Sequence, residues 1–354
     1  MHAIVPPYLL ARIAATREPT WARAARAARA TLEIPREYRP VRSRIRMSIE
    51  EPGTLVFEGA PAPDRTISDA RQLEQLPGTR VRGEDDPPTG DVAVDEAFDG
   101  LGATFDFYWE AYQRSGIDGA GAPLLATVHY GRDYDNAFWN GERMVFGDGD
   151  GEVFVGFTGS LSVIAHELTH GVTEFEGGLV YQGQSGALNE SLSDVFGALT
   201  EQHLLGQTAE TATWLIGEGI FTAAVQGEAL RSLKAPGTAY DDDVLGRDPQ
   251  PAHMDDYVVT SDDNGGVHIN SGIPNHAFYL AAQQLGGNAW ERAGLIWYRT
   301  LTSGTVSPTA DFRSFAQATV TAAEAEYGEE SEEVDAVRRG WTGVGVLDDG
   351  SGTN

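Results

Sequence analysis

The feature that most constrains this sequence is an apolar stretch with helical periodicity at 161–175, which contains the pattern His-Glu-x-x-His. Residues four apart lie on one face of a helix, so the imidazoles of His166 and His170 can converge on one ion. Glu167 lies one step round the helix, toward the opening of such a site. The pattern predicts a metal site with two nitrogen ligands and a carboxylate beside it. The alternative is a pair of solvated histidines on a surface helix.

A second helical stretch, predicted at 187–205, carries two carboxylates one turn apart, Glu190 and Asp194. Zinc held by two histidines needs one more protein ligand if it is to keep a position open for water. Glu190 can supply that ligand, and Asp194 can accept the free ring N–H of a ligating histidine. The chain has no cysteine, so any metal must be held by nitrogen and oxygen.

Charge excludes two classes of partner and marks a boundary. The chain has 25 basic and 53 acidic residues and a net charge of −28, which repels nucleic acid and anionic lipid surfaces. Residues 1–57 carry ten arginines and five glutamates, so a basic segment (net +5) precedes an acidic body (net −33). A segment and a body of opposite charge can dock on each other. The sequence has no apolar run of about 18 residues that would span a membrane.

The start of the chain does not match a standard signal peptide, because Pro6 and Pro7 interrupt its apolar residues and arginines follow. Residues 21–32 have good helix propensity, and residues 33–51 alternate in a way that indicates a strand.

Beyond residue 57 the sequence has two textures. Strand-like runs at 124–130, 144–151 and 153–157 follow one helical stretch at 95–115. The remaining pattern is helical, at 161–175, 187–205, 269–285, 289–302, 309–326 and 330–340. We therefore predict an α+β fold with a strand-rich part at 58–160, a helical part at 161–346 and a loose tail at 347–354.

Seven separated strings are similar, in content and order, to those of the thermolysin-like zinc metallopeptidases, a gluzincin family. They are DEAFDG at 95–100, VHYG at 128–131, NAFWNG at 136–141, GDGDG at 147–151, HELTH at 166–170, GALNESLSD at 186–194 and DNGGVHINSG at 263–272. The resemblance covers about residues 65–346. It implies a two-lobed fold with a zinc site in the cleft between a strand-rich N-terminal lobe and a mainly helical C-terminal lobe.

The resemblance also implies roles at the metal. His166, His170 and Glu190 would bind zinc, and Asp194 would accept a hydrogen bond from the free ring N–H of one of the histidine ligands. Glu167 would act as the general base on a metal-bound water and later pass the proton to the leaving amine.

Three further residues match the groups that assist the reaction. Tyr181 and His268 match the pair that stabilises the anionic tetrahedral intermediate. Asp263, five residues before His268, matches the carboxylate that orients this histidine.

Substrate binding follows from the same resemblance. Arg231 matches the arginine that holds the carbonyl just past the cleaved bond. Asn136 and the backbone of Ala137 match the edge strand that pairs with an extended peptide. Cleavage before Leu, Phe, Ile or Val is expected, because the pocket for the residue after the cut is apolar, and its two phenylalanines would make it shallow. The pocket residues are Phe154, Phe157, Val163, Ile216, Ile220 and Leu230.

Calcium is expected at one site at most. Three carboxylates remain where the family has a paired site: Glu201, Glu218 and Asp194. Ser162 and Thr213 stand where two aspartates are usual, whereas calcium takes six to eight oxygen ligands.

Residues 1–57 are similar to the short propeptide of protealysin-type members. We expect this segment to lie in the cleft as an intramolecular inhibitor, held by its charge and its apolar tip. Self-cleavage is expected between Glu51 and Arg65, where residues 55–57 (Leu-Val-Phe) offer apolar residues. The absence of cysteine excludes a latency switch based on a thiol bound to zinc.

The sequence thus predicts a zinc-dependent metalloendopeptidase made as an autoinhibited zymogen, acting as a monomer on proteins or peptides. Secretion by a route without a standard signal peptide is expected, with a cytoplasmic location as the alternative. Two other functions stay open at this point. One is an aminopeptidase of the same zinc class, although no G-x-M-x-N string precedes the histidines; the other is a catalytically silent peptide-binding protein.

Overall fold

The computed structural model describes residues 2–35 and 61–348. The predicted strand at 33–51 lies mostly outside these residues. So do residues 55–57 of the expected cleavage segment, the boundary at residue 57 and most of the tail at 347–354.

A six-stranded mixed sheet lies in the first half of the chain. Its order is β1-β5-β6-β4-β2-β3, with β4 parallel to both β2 and β6 and the other pairs antiparallel. The N-terminal strand β1 forms one edge, next to β5, and two short hairpins follow later in the chain. The strands are β1 His2–Ala3, β2 Arg65–Asp69, β3 Thr79–Gly83, β4 Leu124–Val128, β5 Ala137–Trp139, β6 Met144–Phe146, β7 Leu215–Ile216, β8 Arg231–Ser232, β9 Asp241–Asp242 and β10 Gly246–Arg247.

The second half is helical, as predicted, and two helices also form near the start of the chain. The helices are α1 Pro7–Ala15, α2 Ala22–Glu33, α3 Val92–Tyr112, α4 Leu161–Glu176, α5 Gly183–Leu205, α6 Asp263–Asn270, α7 Gly272–Leu285, α8 Ala293–Thr302, α9 Phe312–Tyr327 and α10 Glu332–Gly343. No helix within residues 2–35 and 61–348 is long and apolar enough to cross a membrane.

Several predicted elements differ from the structure, and three of the differences have a clear cause or consequence. The run at 153–157 is not a strand; it makes only a single bridge, between Phe154 and Phe221. The helix predicted at 95–115 begins at Val92, because the Asp91 carboxylate accepts the first free backbone N–H groups. The helix predicted at 269–285 is two helices, with the break at Ser271.

Helices α4 and α5 form the centre of the molecule and pack closely. Almost every residue of α5 up to Thr200 is buried, including its polar residues, so this part of the helix presents no face to solvent. The close approach depends on Gly197, where a Cβ atom would lie only 2.8 Å from the Ser162 carbonyl oxygen of α4. The two helices that carry the predicted metal ligands are therefore held against each other.

Helices α1 and α2 form a hairpin that lies on the body. Pro7 occupies the first helical position of α1, where its missing N–H costs nothing. Leu9, Leu10 and Ile13 are buried in the same apolar cluster as the body. On α2 the buried face is made of alanines and Thr31.

Candidate metal centre

Three predicted ligands meet between α4 and α5. The Nε2 atoms of His166 and His170 are 3.0 Å apart, and each lies 3.5 Å from an oxygen of Glu190. All three side chains are fully buried.

The opposite ring nitrogens show what this cluster can hold. His166 Nδ1 is 2.8 Å from an Asp194 oxygen, and His170 Nδ1 is 2.7 Å from the Asn189 side-chain oxygen. Both acceptors place the ring hydrogen on Nδ1, so the two Nε2 lone pairs face each other and a carboxylate. Burial, with the neighbouring rings of His2 and His166, lowers the pKa of His170 well below its ordinary value and keeps it neutral. Such a buried, electron-rich donor set fits a divalent cation such as zinc.

Asp194 is held from two sides. Arg231 donates to both its oxygens at 2.8 Å, and Asn275 donates to one at 2.9 Å. Burial would raise the pKa of Asp194, but the Arg231 guanidinium and the His166 ring hold it well below its usual range. The acceptor behind His166 is therefore ionised. The pairing of Arg231 with Asp194 was not predicted, because the two positions are 37 residues apart.

Glu167 lies next to the ligands on α4. Its Oε2 atom accepts a hydrogen bond from the Trp139 backbone N–H at 2.7 Å, and the side chain is buried. The contact connects the carboxylate on α4 to β5, the strand that pairs with β1.

The structure brings His268, Asp263 and Tyr181 to Glu190. The His268 Nδ1 atom is 2.5 Å from an Asp263 oxygen, and the Tyr181 hydroxyl donates to Glu190 while lying 3.3 Å from His268 Nε2. Burial opposes a charge on His268, but the Glu190 and Asp263 carboxylates outweigh it and raise its pKa to about 9. The protonated ring can donate a hydrogen bond from each nitrogen.

The position of Asp263 depends on a left-handed turn. Residues 263–266 all have φ between 51° and 81°, and two of them are Gly265 and Gly266. This turn brings the Asp263 carboxylate back to both the ring and the backbone N–H of His268.

The N-terminal segment pairs with the strand that was predicted to bind an extended substrate. In β1 and β5, His2 lies opposite Trp139, and the Ile4 N–H donates to the Ala137 carbonyl at 3.1 Å. The Asn136 side chain accepts from the Val5 N–H at 2.9 Å and donates to the Val5 carbonyl at 3.0 Å.

Two successive carbonyls of the same segment meet the other predicted groups. His268 Nε2 lies 2.9 Å from the Ala3 carbonyl oxygen, and Arg231 Nη1 donates to the Ile4 carbonyl at 3.0 Å. Ile4 thus stands in the place predicted for the residue after the cleaved bond.

The six side chains of the predicted apolar pocket and Ile4 all belong to one large buried cluster, which extends through most of the protein. The Phe154 and Phe157 rings are tilted against each other with centroids 5.5 Å apart. All six predicted pocket side chains are fully or almost fully buried: Phe154, Phe157, Val163, Ile216, Ile220 and Leu230.

The three predicted calcium carboxylates are engaged differently. Both oxygens of Asp194 accept hydrogen bonds in the metal centre, as described above. Burial and the negative charge of Glu218 raise the pKa of Glu201 to about 7. That at most one calcium ion binds at these carboxylates stays a prediction.

Comparison with known proteins places the chain in a family. The profile of the thermolysin metallopeptidase catalytic domain matches residues 65–174, and that of the thermolysin metallopeptidase alpha-helical domain matches residues 177–346. The chain belongs to the thermolysin family of metallopeptidases. Members of this family are zinc-dependent metalloendopeptidases, so the predicted enzyme class and the predicted thermolysin-like fold are confirmed.

Individual relatives support the same assignment. An extracellular metalloprotease of Pectobacterium carotovorum is 57% identical over 80% of this chain and 81% of its own length. Protease PrtS of a Photorhabdus strain is 52% identical over 80% of this chain and 76% of its own length. The solved precursor of protealysin from Serratia proteamaculans is 49% identical, with a TM-score of 0.89 over 98% of this chain and 100% of that one.

Like Asn189 and Asn275 above, His2 is a residue of this thermolysin-family site that was not predicted. His2 packs its ring on His170, with centroids 4.2 Å apart. No motif includes a histidine so far from the metal ligands in the sequence, and only the pairing of β1 with β5 brings it to the centre.

Proposed function

We propose that this chain is the autoinhibited precursor of a zinc endopeptidase that cuts on the N-terminal side of apolar residues. One observation carries the proposal. Residues 3–5 make the contacts predicted for a bound peptide, with Asn136, Ala137, Arg231 and His268.

Each step of peptide hydrolysis has a residue in place. His166, His170 and Glu190 would hold zinc, which would supply Lewis acidity toward the attacking water and the carbonyl of the cleaved bond. Glu167 accepts the proton of the attacking water and delivers it to the leaving amine nitrogen.

The charge that develops on the carbonyl oxygen meets two donors. His268 Nε2 already lies 2.9 Å from the Ala3 carbonyl oxygen. The Tyr181 hydroxyl, 3.3 Å from His268 Nε2, would turn from Glu190 to donate to the same oxygen, and Asp263 orients His268. Arg231 binds the next carbonyl, and Asn136 with Ala137 holds the backbone extended.

The apolar pocket sets the preference for the residue after the cut. Ile4 is fully buried in the cluster that contains the pocket, and burying such a side chain contributes about 1.5–3 kcal/mol. Phe154 and Phe157 fill part of this space, which favours Leu, Ile, Val and Phe over larger residues.

Autoinhibition rests mainly on apolar and backbone contacts. Ile4, Val5, Leu9, Leu10 and Ile13 are all buried. The described ion pair between the segment and the body, Arg23 with Asp133, is instead accessible to solvent, with 49% and 31% of the two side chains exposed. Exposed ion pairs contribute about 0–1 kcal/mol. The charge difference therefore guides docking, and apolar burial holds the segment.

Further parts of the proposal extend beyond the cleft. We propose that the segment is removed by self-cleavage between residues 51 and 65. We also propose that the mature monomer acts on proteins or peptides outside the cell, because two relatives are named extracellular. The route of export, and the limit of at most one calcium ion, remain predictions from the sequence.

The test is to incubate the full chain with zinc and follow both its N-terminus and its cleavage of a peptide library with blocked ends. We expect loss of the N-terminal segment, then cuts before Leu, Phe, Ile or Val. Glu167→Gln should lower turnover by about 10²–10⁴-fold while zinc stays bound. The control Glu326→Gln, at an exposed position of α9, should leave turnover unchanged. Activity from an intact chain, or cleavage only of peptides with a free amino terminus, would contradict the proposal.

A further inference from the structure

The N-terminal segment raises a chemical problem. The Ala3 carbonyl is contacted by His268 and the Ile4 carbonyl by Arg231, which are the contacts proposed for a bond about to be cut. A precursor with this segment in the cleft nevertheless has to keep the Ala3–Ile4 bond whole. Something in the precursor must withhold the attacking water from it.

His2 lies where that could be done. Its side chain is 8% exposed, its ring stacks on His170, and the Tyr181 ring meets it edge-on at 4.3 Å. Potential ligand atoms of His2, His170 and Glu190 all lie within 4.8 Å of one another.

Simple packing does not account for this ring. Among the described residues, no hydrogen-bond partner reaches the buried His2 Nδ1 atom, and a buried polar atom left unpaired is destabilising. An aromatic ring used only to fill space would not carry that cost. Imidazole nitrogen is the commonest metal ligand in proteins, and the pairing of His2 with Trp139 on β5 anchors the backbone that delivers it.

We propose that His2 is a ligand of the metal in the precursor, beside His166, His170 and Glu190. Catalytic zinc sites keep their fourth position for water or substrate, and a fourth protein ligand takes that position. The precursor then holds a substrate-like bond that it cannot hydrolyse. In a chain without cysteine, the His2 imidazole thus blocks the metal as a cysteine thiol could have done. Activation requires His2 to leave the metal. This inference rests on the proposed function of the site.

The experiment uses the full chain carrying Glu167→Gln, so that the segment stays attached. His2→Phe on this background keeps an aromatic ring against His170 and Tyr181 but removes the nitrogen ligand. His253→Phe is the matched control, because His253 is 39% exposed and pairs with Asp255. Two quantities are measured: the zinc dissociation constant by chelator competition, and the visible spectrum of the cobalt-substituted protein.

For His2→Phe we expect a zinc dissociation constant higher by at least about tenfold and altered cobalt absorption bands. Adding free imidazole should return the bands toward those of the parent, and His253→Phe should match the parent in both measurements. Unchanged zinc affinity and spectrum in His2→Phe, with the segment still protected from an added protease, would overturn the proposal. Failure of the proposed function is distinct, because the parent itself would then bind no zinc or His166→Ala would leave its affinity unchanged.

Discussion

The three guanidinium nitrogens of Arg231 make three different contacts. Nε and Nη2 donate to the two oxygens of Asp194, and Nη1 donates to the Ile4 carbonyl. Since Asp194 in turn accepts from His166, one side chain connects the peptide in the cleft to a metal ligand. In the proposed function, substrate binding and metal binding therefore share a residue.

We predict that Arg231→Lys impairs both. Lysine keeps the charge but loses the planar fork that reaches two oxygens at once. The zinc dissociation constant of the mature enzyme should rise about 10–100-fold, and kcat/KM should fall by at least as much. Chelator competition and peptide kinetics measure the two effects. Arg299→Lys, which alters an exposed pair with Glu326, is the control; unchanged zinc affinity in Arg231→Lys would show that Asp194 is held without it.

Residues were predictable where their relation is local. His166 and His170 are one helical turn apart, so their convergence follows from helix geometry alone. The residues around the two histidines differ in the same respect. Asp194 could be predicted from its spacing to Glu190, whereas the contact of Arg231 with Ile4 joins positions 227 residues apart. Only the folded chain shows such a pairing.

At the scale of elements, the metal centre depends on how closely α5 approaches α4. Gly197 faces the Ser162 carbonyl, and backbone atoms cannot move aside as the end of a flexible side chain can. Two effects compete when a methyl group is added here. Alanine favours a helix by up to about 1 kcal/mol over glycine, whereas overpacking costs about 1–3 kcal/mol.

We predict that Gly197→Ala destabilises the protein, because the contact with the Ser162 carbonyl outweighs the gain in helix propensity. The free energy of unfolding in urea should fall by about 1–2 kcal/mol, measured on the precursor with Glu167→Gln. Gly177→Ala, just after α4, is the control, because its new methyl group would meet only the Leu301 Cδ1 atom, at the ordinary contact distance of 4.0 Å. A more stable Gly197→Ala protein would mean that the two helices can separate at little cost.

Elements were predicted well where hydrophobic periodicity continues and poorly where tertiary contacts decide. The helix at α4 agrees with the prediction to within a residue. The apolar run at 153–157 has the composition of a strand, but its phenylalanines are used to build the pocket rather than to join a ladder. A left-handed turn at the start of α6 positions Asp263, and the break between α6 and α7 comes after it. The hydrophobic periodicity of the sequence reveals neither feature.

For the whole molecule, the docked hairpin covers a pair of buried carboxylates. Asp135 and Asp150 are both fully buried, and the Asp135 backbone N–H donates to Thr31 on α2 at 3.0 Å. Burial and the Asp150 charge, with a smaller effect of Asp133, raise the pKa of Asp135 to about 10. Arg23 pairs with Asp133 and Glu152 accepts from the Ala24 N–H, so these groups surround the pair.

We predict that this pair makes the precursor less stable as pH rises. The ordinary pKa of aspartic acid is about 4, so the folded precursor keeps a proton that the unfolded chain has released. Its contribution is full below pH 4 and is lost as pH rises toward 10, by up to about 1.4 kcal/mol per pH unit for one proton. Asp135→Asn should flatten this dependence when unfolding is measured in urea at pH 5, 7 and 9. Parallel profiles for parent and variant would contradict it.

The charge imbalance in the sequence indicated correctly that the basic segment and the acidic body would meet. It could not show what holds them, because net charge describes attraction at a distance and not the contacts made on arrival. Those contacts are the apolar side chains of α1 and the backbone pairing of β1, which depend on the shape of the folded body.

The pairing of β1 with β5 has one more consequence. A strand at the border of a sheet offers unpaired amide and carbonyl groups to any extended chain that passes, including another molecule of the same kind. While β1 is in place, β5 is already an interior strand, and it becomes a border only when the segment departs. The precursor should therefore associate with other chains through β5 less readily than the mature enzyme does. In the mature enzyme, a substrate peptide can pair with β5 in place of β1.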